Sequence, residues 1–171
     1  FPTKGLKTNI SYTIYTNLHT NTAYSSLAAQ VTKIFPITLN TFIIPTIYGR
    51  FIFNDGIPFM YSNVIGGEGY NPHYEQQIPF SGLTHTESTL KLLGNAQIQV
   101  RHKFHEKQYL TLSGNYAIHQ NQFSNFLQGK KIYGTSIGYG YDSPLGPIEG
   151  FICYSNRTNK LGFYLNIGFG F

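Results

Sequence analysis

The stretch NAQIQVRHKF, residues 95–104, decides what kind of structure this chain builds. Ala96, Ile98 and Val100 alternate with Asn95, Gln97, Gln99 and Arg101, and a period of two is the side-chain period of a β-strand. The polar side carries carboxamides and one arginine. A soluble β-sandwich would set Lys, Glu, Thr and Asp there to meet water. Neutral polar residues on one side and aliphatic residues on the other suit a strand with a crowded or watery lumen on one face and lipid on the other.

The same rhythm recurs in both directions along the chain. YLTLSGNYAIH (109–119) alternates Leu110, Leu112, Tyr116 and Ile118 with Thr111, Ser113, Asn115 and Ala117. YGTSIGYGY (133–141) sets Tyr133, Ile137, Tyr139 and Tyr141 against Gly134, Ser136, Gly138 and Gly140. PIEGFICYS (147–155) follows, and LGFYLNIGFGF (161–171) closes with Phe163, Leu165, Ile167, Phe169 and Phe171 in one phase. Toward the N-terminus, NTFIIPTIYGRFIF (40–53) is apolar on both faces, with Arg50 expected to point inward beside Thr46 and Tyr48. SLAAQVTKIF (26–35) and GLKTNISYTIYTN (5–17) complete eight predicted strands.

Composition agrees with a membrane setting. Charged residues make up 11%, less than half of the roughly 25% usual in soluble globular proteins. Phe and Tyr supply 14 each, Gly 18, and mean hydropathy is −0.18. No run approaches the ~18 apolar residues of a membrane helix, whereas each alternating segment has the ~9–11 residues of a spanning strand. Trp is absent, so Tyr12, Tyr24, Tyr48, Tyr109 and Tyr141, near strand ends, are expected to form the interfacial belts. No cleavable leader opens the chain, so an outer-membrane destination implies that one has been removed.

The connections also alternate. PIT (36–38), HEK (105–107) and SPLGP (143–147) are short, whereas LHTNTA (18–23), the stretch 54–90, QNQFSNFLQGKK (120–131) and NRTNK (156–160) are longer or more polar. Short periplasmic turns and longer extracellular loops are the outer-membrane arrangement. The expectation is therefore an all-β, antiparallel transmembrane β-barrel region over residues 1–171, with a long extracellular loop at about 54–90. Eight strands could close alone as a narrow, porin-like channel.

Three pieces carry a family resemblance. FPTKG (1–5) resembles the phrase that opens a mid-barrel strand in the BamA-like outer-membrane insertases, the bacterial surface antigen superfamily. Ser143, Pro144, Leu145, Gly146 and Pro147 resemble that family's periplasmic turn between the last hairpins. The closing alternation Phe163, Leu165, Ile167, Phe169 and Phe171 resembles the insertion signal read by the barrel-assembly machinery. The resemblance implies a sixteen-stranded barrel of which these are the last eight strands, and it places the 54–90 insertion between strands eleven and twelve. The N-terminal half, on the same or a separate chain, would then be a partner together with outer-membrane lipid. Unpaired edges in lipid would otherwise be costly.

The long loop departs from the insertase pattern. There an Arg-Gly-aromatic motif tucks into the lumen. VIGGEGYNPHYEQQIPFSGL (64–83) keeps Gly66 and Gly67 but has no arginine. Its IPFSGL, with Pro79 and Phe80, is similar to the loop of barrels fused to patatin-like phospholipases in Bacteroidetes-type bacteria. The resemblance implies a bacterial outer-membrane anchor or passage for an attached domain. An insertase or translocase is the alternative.

Catalytic and ligand motifs are weak. GTSIG (134–138) matches the G-x-S-x-G of hydrolases, but a nucleophile elbow needs a strand-to-helix apex, and Ser136 lies in unbroken alternation. Asp55, in NDGI, reads as a turn residue. No catalytic residue is therefore expected here, and any phospholipase would lie upstream of Phe1. His19, His73, His85, His102 and His105 lack partners at metal-ligand spacing, so neither metal nor cofactor is expected. IGGEG (65–69) opens no helix that would cradle phosphate. One cysteine, Cys153, excludes an internal disulfide, and scattered Lys and Arg give no nucleic-acid surface. Arg50, Arg101, Lys103 and Glu149 are expected to face the lumen, because charge facing lipid is costly.

Overall fold

Residues 4–17, 22–53, 57–67, 76–83, 85–144 and 146–168 are described by the structure, a computed structural model. In chain order the strands are β1 (Gly5–Asn17), β2 (Thr22–Pro36), β3 (Thr41–Ile52), β4 (Asn63–Gly66), β5 (Gln77–Ile78), β6 (Thr86–Thr89), β7 (Leu92–His105), β8 (Gln108–Gln120), β9 (Lys130–Ser143), β10 (Gly146–Ser155) and β11 (Leu161–Ile167). Eight of them form one antiparallel sheet in the order β1-β2-β3-β7-β8-β9-β10-β11. Neighbours in this sheet are successive long strands, so the topology is a simple meander. Among the described residues β1 and β11 each have one neighbour, so the sheet is not closed.

The eight long strands coincide with the eight alternating segments, but several start earlier. β2 begins at Thr22, β7 at Leu92 and β9 at Lys130. These added first residues still pair: Thr22 with Asn17, Leu92 with Gln120, and Lys130 with His119. Ladder hydrogen bonds do not depend on side-chain polarity, so pairing runs past the apolar band that alternation detects.

Antiparallel partners share a face, and the pairings therefore sort the sheet into two sides. On the open face Ile10, Ile47, Ile98, Leu112, Ile137, Ile152 and Phe163 are all large and exposed. The opposite face holds Arg50, Asn95, Arg101, Thr111, Ser113, Asn115, Ser136 and Glu149, all buried. Polar groups are thus inside and aliphatic groups outside, the reverse of a water-soluble sheet. Lys33 is an exception on the open face, opposite Leu6; its Nζ sits 4.4 Å from the centre of the Phe35 ring near a strand end. A long amphipathic stem lets such a group reach the interface from an apolar surface.

The expected aromatic belt needs correction. Tyr48 and Tyr109 are buried on the inner face, and Tyr24 is paired with Tyr15 on that same face. Strand phase sets their direction, and nearness to a strand end does not. Tyr12 and Tyr141 do lie on the open face, as do Phe104 against Tyr139 near the short turns and Phe51 against Phe123 near the long connections.

An Ile98→Lys substitution tests which solvent wets the open face. It is expected to cost about 2–4 kcal/mol in a bilayer. Gln99→Lys, one residue away on the inner face, is expected to be nearly neutral. The folded fraction in lipid, read from the heat-modifiable band, distinguishes them; equal behaviour would argue for water on both faces.

Candidate functional site

The long connection between β3 and β7 does not read as structured in the sequence, yet it forms a second sheet. β4 pairs parallel with β5 and antiparallel with β6. Gly66 and Gly67 let the chain turn at the end of β4: both have positive φ (115° and 73°), and a Cβ at Gly66 would overlap the His85 carbonyl. Gly67 then ties the two halves of the loop. Its N–H donates to Leu83 O at 2.6 Å, and its carbonyl accepts from Phe80 N–H at 3.1 Å. Pro79 and Phe80 are thereby brought beside the glycine pair.

The apex 80–83 is a β-turn, with Leu83 N–H donating to Phe80 O at 3.2 Å and Gly82 at φ 88°. This turn presses on the wall of the large sheet. A Cβ at Gly82 would overlap Tyr154 O of β10, and one at Gly134 of β9 would overlap Ser81 O. Gly134 is therefore small to admit a backbone. Behind the turn Ile65, Ile78, Phe80 and Leu83 pack with Tyr48, Leu93, Ala117 and Ile132 into one apolar cluster. Phe80 and Leu83 have 0% exposure. Among the described residues this cluster is the core, and half of it comes from the loop.

Polar contacts fix the loop's other end. Arg50, on β3, is 3% exposed. Its Nη1 donates to Asn63 Oδ1 at 2.9 Å and lies 3.3 Å from Ser62 O and 3.4 Å from Tyr61 O, while Nη2 reaches Ser26 Oγ at 3.2 Å. Asn63 Nδ2 in turn donates to Leu90 O and Lys91 O, each at 2.8 Å. One guanidinium and one carboxamide thus join the start of the loop to its end. The planar fork suits this task, since it satisfies several acceptors at once. Nearer the apex, Ser136 Oγ donates to Ser81 Oγ at 3.2 Å and shares a 2.8 Å hydrogen bond with Ser113 Oγ. Asn115 Nδ2 lies 3.4 Å from Pro79 O. At the rim Arg157 Nε donates to Glu87 Oε2 at 2.9 Å, and His85 Nε2 lies 3.3 Å from Glu87 Oε1. That exposed pair is worth about 0–1 kcal/mol, so the buried contacts dominate.

Arg101 and Glu149 lie deeper on the inner face, 8% and 3% exposed, and line one 220 Å³ cavity beneath Phe80 together with Thr111 and Ser113. Arg101 Nε also reaches Thr111 Oγ1 at 3.4 Å. Lys103, opposite Tyr109, shares that face. Phe163, Leu165 and Ile167 project from the open face; Phe169 and Phe171 lie outside the described residues. Ser143, Pro144, Gly146 and Pro147 form the β9–β10 hairpin, with Gly146 at φ 110° and Ser143 opposite it, and Leu145 lies outside the described residues.

Ser136 stands mid-strand between two other hydroxyls, and among the described residues no imidazole or carboxylate bonds to it. Asp55, His19 and His73 lie outside the described residues. His102 Nδ1 is 2.9 Å from Thr41 Oγ1 on the open face, and among the described residues no group of three His, Cys, Asp or Glu converges on a metal position. Asn63, Asn115, Gly134 and Ser81 hold the loop, and sequence reading had singled out none of them for that role.

A family model described as the OMP85 superfamily matches residues 1–171, the whole of this chain. No curated protein matches it.

Proposed function

Because the chain belongs to the OMP85 superfamily, whose members are outer-membrane proteins, we propose that it anchors an attached domain in that membrane. The attached domain is of the patatin-like phospholipase kind, and the membrane is a bacterial outer membrane. One observation carries this reading. The long loop is held on the inner face by an arginine of the wall, Arg50, and by the apolar apex Phe80–Leu83, with no arginine of its own. Such a loop fills lumen space and restricts free conduction. The fixed plug favours a holding role over an open channel.

The outward row Phe163, Leu165 and Ile167 is where the assembly machinery would read the strand, and lipid and the rest of the barrel are the remaining partners. Any ester hydrolysis belongs to the attached domain, since Ser136 is occupied by Ser81 and Ser113. The test is to isolate the natural protein from outer membranes, measure its mass against the 19.3 kDa of this chain, and assay lipase activity. A larger lipase-active species whose activity survives Ser136→Ala is expected. A lipase-free species bearing repeated periplasmic modules would replace the anchor with an insertase. Loss of hydrolysis in a normally folded Ser136→Ala protein would return the chemistry to the barrel.

A further inference from the structure

A second cavity on the inner face, about 350 Å³ in volume, lies between the first strands of the sheet and the loop segment 76–79. The register builds its floor from two adjacent rungs. One rung sets Asn9, Gln30, Tyr48 and Asn95 side by side, and the next sets Lys7, Thr32, Thr46 and Gln97. Cross-strand neighbours stand about 5 Å apart. Asn9, Gln30 and Gln97 make no side-chain hydrogen bond among the described residues, although Gln30 and Gln97 are half buried. Each carboxamide carries both donors and an acceptor. Asn9, Gln30 and Gln97 thus offer unpaired, uncharged, two-way hydrogen-bonding groups along the floor, around Thr32 and Thr46, whose hydroxyls pair with each other at 3.0 Å.

Among the described residues no carboxylate lines this cavity, which argues against a cation. Of the two cationic side chains that line it among the described residues, Lys7 and Arg50, the second is committed to the loop, which argues against a multiply charged anion. A ligand that matches must be neutral, must offer closely spaced groups that both donate and accept, and must be compact, because Gln76 to Pro79 form one wall. We propose that this cavity is a binding site for an uncharged saccharide of one or two rings. Vicinal hydroxyls present the required donor–acceptor pairs, and the volume is at the small end of the ~300–1,000 Å³ typical of ligand pockets. An extended polypeptide would satisfy the carboxamides but needs a through-going groove.

The probe is maltose, added to the complete natural protein in a detergent whose headgroup is not a sugar, with binding read by saturation-transfer NMR. Transfer to the sugar ring protons is expected. The double variant Gln30→Leu/Gln97→Leu should weaken binding about tenfold or more, since each lost hydrogen bond weakens binding roughly fivefold. Because two leucines could impair assembly, the near-isosteric Gln30→Met is measured alongside and should give a severalfold loss with unchanged heat-modifiability. No transfer to maltose in the folded protein would overturn the assignment. So would equal transfer in both variants, or displacement of the sugar by an equimolar neutral tetrapeptide.

Discussion

Replacing Arg50 by alanine is expected to free the long loop from the sheet while leaving the eight-strand meander paired. The argument rests on which groups lose partners. Arg50 is buried and serves Asn63 Oδ1, Ser26 Oγ and the carbonyls of Tyr61 and Ser62. Alanine leaves those acceptors facing a void. A hydrogen bond to a charged group contributes about 1.5–3 kcal/mol, so a loss of about 3 kcal/mol is expected even if water reaches part of the gap. The meander is barely affected, because Arg50 pairs with Ala28 and Leu93 through its backbone. Hydrogen exchange should therefore accelerate by roughly two orders of magnitude at Tyr61 to Gly67, with the β7–β10 amides unchanged. Ion conductance across a planar bilayer should rise in parallel. Arg50→Lys keeps the charge but not the fork and should recover little of the protection. Uniform acceleration across all strands would instead make Arg50 a general core residue.

How much of this was legible beforehand varies with the range of the signal. Period-two alternation is local, and it placed Gln97 against Ile98 and Ser136 against Ile137 on the faces where the structure has them. The same phase turned Arg50 inward. What Arg50 holds was not legible, because an asparagine ahead of a Val-Ile-Gly-Gly run reads as turn chemistry, whereas Asn63 is fully buried as a bridge between loop ends. The apex was hidden for a related reason. Ile65, Ile78, Phe80 and Leu83 follow neither a helical nor a strand period, since they converge through turns at Gly67 and Gly82. Gly134 fitted the pattern of small inward residues, and its need to admit the Ser81 carbonyl emerges when the two segments meet. The tyrosine belt failed where position along a strand was allowed to outweigh phase, as Tyr48 and Tyr109 show.

Phe80→Ala should produce the larger thermodynamic loss. Phe80 has no exposed surface and fills the centre of the cluster made with Tyr48, Leu93, Ala117 and Ile132. Truncating a buried phenylalanine costs about 3–5 kcal/mol, the lower end applying where neighbours collapse into the gap. Collapse is restricted here. Gly82 and Gly134 already bring backbone against backbone, so the turn cannot move closer to β9 and β10. The 220 Å³ cavity below Phe80 would instead open into the vacated volume. Water entering there would meet Arg101 and Glu149, and the apex would lose its hold before the strands do. Limited proteolysis in detergent should show cleavage between β4 and β6 in Phe80→Ala but not in the parent. Phe80→Leu, which keeps most of the volume, should stay largely protected and cost under about 1.5 kcal/mol. Cleavage confined to the Arg50→Ala protein would locate the loop's anchorage in the polar clamp alone. Equal protection in both variants would mean that neither the clamp nor the apex keeps the loop on the inner face.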